Sequence, residues 1–117
     1  MSVFQIEIPE QKTVIDCYGK DTQAIVHCEE TAELIHAISK LYRVTNSPAT
    51  YAERDNARLN LIEEIADTLI SIKQMIEMYE ITELELQGVI NLKCKRQEER
   101  VNAELSRRNY GRETCEA

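Results

Sequence analysis

Apolar residues recur along most of this chain at intervals of three and four, the period of an amphipathic helix. The exception is the start. Residues 1–10 alternate weakly, with Val3, Phe4, Ile6 and Ile8 apolar, and stop at Pro9, which reads as an extended or irregular lead-in. A short helical piece is expected over 11–18, ended by Gly19. A first long helix follows over about 21–43, with Asp21 as its cap. The run Thr45-Asn46-Ser47-Pro48 is a connection. A second long helix is predicted over 51–79 and a third over 82–107, where Thr82 and Glu85 fit a capping box. The tail, 109–117, reads as disordered.

On a helical wheel Val26, Leu34, Ala37, Ile38 and Leu41 form one arc of the first long helix, extended by Ile25, Cys28, Ala32 and Ile35. On the second, Leu61, Ile65, Leu69, Ile72 and Ile76 form the main stripe, with Leu59, Ala66 and Ile70 on a further side. The two helices, joined by a short link, should form an antiparallel hairpin. This is more apolar surface than one hairpin and a third helix can hide. The expected fold is all-α, an antiparallel long-helix bundle completed by homo-oligomerisation as a dimer or tetramer. Composition agrees: three Gly and two Pro favour helices over strands and turns, and 43% hydrophobic with 30% charged residues excludes a disordered chain. A length of 117 residues suits one domain over 1–117.

Charge narrows the partners. A formal net charge of -7 argues against nonspecific binding to duplex nucleic acid. It leaves a phosphorylated small molecule open, because a divalent cation inverts the local field. No apolar run is long enough to span a bilayer, and the opening MSVFQIEIP lacks the basic-then-apolar pattern of a signal peptide. A cytoplasmic protein with no membrane or nucleic-acid partner is therefore expected. Cys17, Cys28, Cys94 and Cys115 form no CxxC pair and no zinc-type spacing to His27 or His36. They read as free thiols, with Cys28 and Cys94 filling helix faces.

The acids carry the chemistry. Glu30 and Glu33 lie one turn apart, as do Glu64 and Asp67. At roughly 100° per residue, Glu30 falls between Val26, Leu34, Ala37 and Leu41, where the core should be. Glu64 shares a strip with Asn60, Asp67 and Ser71, whereas Glu29 and Glu63 turn outward. A single pair at this spacing is ordinarily a solvated face. Two pairs aimed inward on facing helices would repel each other unless protonated or bridged by a cation. All-oxygen ligands select a hard ion, Mg²⁺ or Mn²⁺. A di-iron bundle would pair Glu with His at i, i+3. Glu33 and His36 have that spacing, but nothing on the second helix matches them.

The third helix adds the opposite charge. Leu86, Val89 and Ile90 begin a stripe that continues as Lys93, Arg96, Gln97 and Arg100, suited to phosphates. For Arg96 a solvated end balanced by Glu98 and Glu99 is an equal reading. Lys93 and Arg100, two turns apart on one side, are the stronger candidates.

Together these residues resemble the MazG-like family of all-α nucleotide pyrophosphohydrolases, whose mark is ExxE followed by ExxD. Here the motifs are Glu30-Thr31-Ala32-Glu33 and Glu64-Ile65-Ala66-Asp67, within CEETAEL and LIEEIADTL. The preceding YGKDTQ with Gln23, and the third-helix pattern of Lys93, Gln97 and Arg100, are similar to the family as well; the family often has Asn where this chain has Gln97. The resemblance covers roughly 18–105. It implies hydrolysis of a nucleoside or deoxynucleoside triphosphate to the monophosphate and pyrophosphate, with Mg²⁺ held by Glu30, Glu33, Glu64 and Asp67. Glu33 is the ligand that alternatively orients the attacking water. Lys93 and Arg100 would bind phosphates, making Glu33 and Lys93 the catalytic candidates. Gln23, Asn60 and Gln97 are candidates for further substrate contacts. The related dimeric dUTPases and phosphoribosyl-ATP pyrophosphatases share this helical site, and a single acidic pair per helix in a short chain favours the MazG-like assignment. The competing reading is a non-catalytic helical interaction or nucleotide-binding protein. The base is left open, with Tyr18, His27, Tyr42 and Tyr51 as stacking candidates.

Overall fold

The computed structural model describes residues 4–116. Four helices follow one another: α1, Lys12–Tyr18; α2, Lys20–Thr45; α3, Tyr51–Met78; and α4, Glu83–Glu116. The stretch 4–11 before α1 has no regular secondary structure; residues 1–3 lie outside the described part. The chain divides into two compact units, one ending at Glu80 and the other beginning at Ile81.

The helix ends follow from local chemistry. Gly19 separates α1 from α2 at φ 90° and ψ 155°, a region essentially reserved for glycine. This lets α2 start at Lys20, with Asp21 inside its first turn rather than capping it. The acid still sits at the positive end of the helix dipole. At the far end, Asn46 closes α2 twice on the Tyr42 carbonyl, from its backbone N–H at 3.1 Å and its side-chain amide at 2.9 Å. Thr50 caps α3 by accepting from the Glu53 backbone N–H at 3.2 Å. Arg54 then ties the connection together by donating to the carbonyls of Val44 and Ser47. Glu80, at φ 53°, turns the chain out of α3.

Within the first unit α2 and α3 form the hairpin. Gln23 bonds Gln74, His27 bonds Ser71, and Thr68 bonds the Glu30 carbonyl. Residue numbers rise on one helix as they fall on the other, so the two run antiparallel. The short α1 packs against both.

The seam differs from the apolar one expected. Its buried residues are Gln23 and Ala37 on α2 and Ala57, Thr68, Ser71, Gln74 and Met78 on α3. The main stripe of α3 is only partly covered: Ile65 is 41% exposed and Ile72 39%, while Leu61, Leu69 and Ile76 are half-buried. On α2, Ile25, Ile35 and Ile38 lie on the outside. Small residues let the helices approach closely, and the polar ones pair with one another. Gln23 Nε2 donates to Gln74 Oε1 at 2.8 Å, Gln74 Nε2 to Gln11 Oε1 at 3.1 Å, and Gln11 Nε2 to the Pro9 carbonyl at 2.9 Å. The backbone N–H of Gln11 is held by the Glu77 carboxylate at 2.8 Å. Nearer the middle, the one hydroxyl proton of Ser71 goes to the Thr68 carbonyl. His27 therefore donates its Nδ1–H to the Ser71 oxygen, at 2.6 Å.

In the second unit the expected capping box forms reciprocally. The Thr82 backbone N–H donates to Glu85 Oε2 at 2.8 Å, and the Glu85 N–H to Thr82 Oγ1 at 3.1 Å. The helix continues to Glu116 instead of ending near 107, so it takes in most of the 109–117 tail that was expected to be disordered. Arg107 and Arg108 both bond Glu104 one turn back, bracing the helix where the end was expected. Residue 117 lies outside the described part. Cys17, Cys28 and Cys94 are free thiols, but they are exposed rather than filling helix faces.

Candidate functional site

Both seam helices carry acids one turn apart, and the antiparallel register brings them level. Glu30 and Glu33 of α2 and Glu64 of α3 each offer a carboxylate oxygen within 4.8 Å of the others. Asp67, one turn on from Glu64, stands outside that trio, yet its charge acts on both Glu30 and Glu64. Thr68 holds the backbone on which this depends, donating from Oγ1 to the Glu30 carbonyl at 3.4 Å.

The electrostatics are unfavourable as they stand. Burial, then the charges of Asp67, Glu33 and Glu29, push the Glu30 carboxyl above its usual range. Burial, followed by Glu33, Asp67 and Glu30, raises Glu64 in the same way. Glu30 Oε2 and Glu64 Oε2 are both buried without a hydrogen-bond partner. Among the described residues no lysine or arginine forms a salt bridge with any of the four acids. Buried acceptors left unpaired are costly and uncommon. Two orphaned oxygens within an all-oxygen donor set fit a hard divalent cation.

Beside the acids lies an open cleft of about 200 Å³, lined by Glu33, His36, Ala37, Lys40, Asn60 and Glu64. It runs along the flank of α2, where His36 and Lys40 are one turn apart and Ala37 is almost fully buried. One end is anionic and the other carries a lysine.

A family profile described as the MazG nucleotide pyrophosphohydrolase domain matches residues 20–103. That span takes in all of α2 and α3 and two thirds of the 117-residue chain or more. The chain belongs to the MazG family. No curated protein and no solved structure matches it. Nucleotide pyrophosphohydrolysis is thus the activity to which the family points, and MazG proteins generally act with a divalent metal.

The MazG span contains every metal, catalytic and substrate-contact candidate except the stacking candidate Tyr18, and the structure distributes them unequally. Glu30, Glu33 and Glu64 are together, with Asp67 at the edge. Asn60 lines the cleft beside Glu64. Gln23 is buried in the seam, and its amide nitrogen is engaged by Gln74. Lys93, Gln97 and Arg100 are exposed along α4, in the second unit. Sequence reasoning missed Lys40 in this MazG domain. It lies seven positions after Glu33, two helical turns along the same flank, and that spacing was the available signal. The glutamine chain of the seam was missed as well, because nothing local distinguishes Gln11 and Gln74 from solvated amides. No helix among the described residues is long and apolar enough to cross a membrane.

Proposed function

We propose that this protein is a cytoplasmic homo-oligomer that hydrolyses a nucleoside or deoxynucleoside triphosphate to the monophosphate and pyrophosphate, with Mg²⁺ as its metal and Mn²⁺ able to replace it. The observation that carries this reading is the pair of buried, unpartnered oxygens on Glu30 and Glu64 within a three-carboxylate cluster, in a chain of the MazG family.

Glu30, Glu64 and Asp67 would hold the cation. When bound, the cation neutralises phosphate charge and polarises phosphorus toward attack. Glu33 is the exposed member of the inner trio, sharing the ion or orienting the attacking water and accepting its proton. The water oxygen bonds to the α-phosphorus as that atom's bond to the bridging oxygen breaks, and pyrophosphate departs with the bridging oxygen. Positioning and charge supply most of the acceleration in such chemistry.

Asn60, at the cleft, contacts the substrate. Lys93, Gln97 and Arg100 are proposed as further phosphate contacts, with Lys93 assisting the chemical step; their support is the basic strip itself. Gln23, committed to Gln74, acts on substrate through the seam rather than directly. Homo-oligomerisation is supported by the number of exposed isoleucines on α2 and α3.

The test is pyrophosphate release from a panel of nucleoside triphosphates, with Mg²⁺ and with EDTA. Metal-dependent release with a monophosphate product is the expected result. Silence across the panel, with no rise in melting temperature on adding Mg²⁺, would overturn the reading.

A further inference from the structure

The cleft beside the acids contains a residue that the chemistry above does not use. Lys40 lines it at the end away from Glu64, on the same flank of α2 as Glu33 and His36. Among the described residues it makes no salt bridge. No acid lies one turn from it on the helix, where the neighbours are His36, Ala37, Arg43 and Val44. Its ammonium is thus an uncommitted cation on a small recess whose opposite end is anionic.

The cleft, about 200 Å³ and open to solvent, has room for a phosphate or pyrophosphate group. Apart from Ala37 its lining is polar or charged, which suits a phosphate group.

We infer that Lys40 binds the departing pyrophosphate portion of the substrate in this cleft. This rests on the proposed triphosphate hydrolysis and deepens it by giving the substrate a direction. The acids hold the cation at one end of the phosphate chain, and the Lys40 ammonium pairs with the terminal phosphates at the other. No covalent step is assigned to Lys40. It is a positioning residue that offsets charge on the leaving group.

The probe is magnesium pyrophosphate, titrated calorimetrically into the full-length protein, with the four deoxynucleoside monophosphates titrated separately. Lys40→Ala should weaken pyrophosphate binding at least about tenfold and leave monophosphate binding within about twofold. Lys40→Arg, which keeps the charge, should restore most of the affinity. In turnover the alanine variant should show a raised KM with a smaller change in kcat. Unchanged pyrophosphate affinity in Lys40→Ala would overturn the inference, as would a loss confined to monophosphate or a wild-type protein that binds no pyrophosphate. Triphosphate turnover by the wild type reports separately on the parent reading. Hydrolysis with Lys40→Ala indistinguishable from wild type sinks only the pocket assignment, whereas pyrophosphate bound through Lys40 without hydrolysis sinks only the reaction.

Discussion

Glu30 and Glu64 meet across the seam between α2 and α3, each with its Oε2 atom buried and unpaired. Among the described residues no lysine or arginine pairs with them, so the arrangement is poised for a cation and strained without one. Glu30→Gln should therefore raise the melting temperature of the metal-free protein by roughly 2–5 °C. It should also remove the stabilisation by Mg²⁺ seen in wild type. Glu64→Ala should lower kcat/KM at least about 10²-fold. Thermal melts with Mg²⁺ and with EDTA check the first two effects, and steady-state kinetics the third. A metal-free Glu30→Gln protein less stable than wild type would count against the repulsion argument.

The glutamine chain of the seam makes a stability prediction. Gln74 accepts from Gln23 and donates to Gln11, and all three are buried. Gln74→Leu strands both neighbours and should cost about 1–3 kcal/mol. The urea midpoint should fall accordingly. A neutral result would mean that the neighbouring amides find other partners.

Gly19 should resist substitution for a conformational reason alone. A side chain there would meet nothing within 4 Å, yet its φ of 90° is one that other residues rarely adopt. Gly19→Ala should destabilise by about 1–3 kcal/mol, as measured by denaturant unfolding. An unchanged midpoint would show that the junction between α1 and α2 relaxes without cost.

At the start of α4, pH sensitivity has a definite sign. The backbone N–H of Thr82, and then its hydroxyl, hold the Glu85 carboxyl below its usual value of 4.5. A carboxyl lowered in the folded state contributes stability above 4.5, and loses it as pH falls through the lowered value. Carboxyl NMR titration should place Glu85 below the ordinary glutamate value of 4.5. Thr82→Ala should return it to the ordinary range and speed amide exchange in the first turn.

The outer apolar faces test the oligomer. Ile35 is 62% exposed and makes no part of the seam. Ile35→Asp should shift the protein toward monomer in sedimentation while preserving its helical signal. An unaltered assembly would place the interface elsewhere.

Much of this was legible along the chain because it depends on neighbours a few residues apart. The helices and the capping box at Thr82 come from local propensity and side-chain hydrogen bonds within one turn. The pairing of Glu30 with Glu33 and of Glu64 with Asp67 is likewise only helix pitch acting on a spacing. Those spacings also carry the family resemblance that the profile match established. Thr50, with Glu53 three residues on, carried the same kind of signal and went unread.

Which face meets which is a different kind of information. A wheel shows that α3 has an apolar stripe and a small, polar strip, but it does not say which one the partner helix selects. The polar strip lies in the seam because Ala37 and Ala57 allow close approach and the Gln11, Gln23 and Gln74 amides satisfy one another. Those partners are 51 and 63 residues apart in sequence. The sequence by itself determined the helices and the acids they carry. Only the tertiary structure decided that Glu33 and Glu64 would share a cleft with Lys40, because that takes two distant helices in one register, and register is set by packing rather than by any local preference.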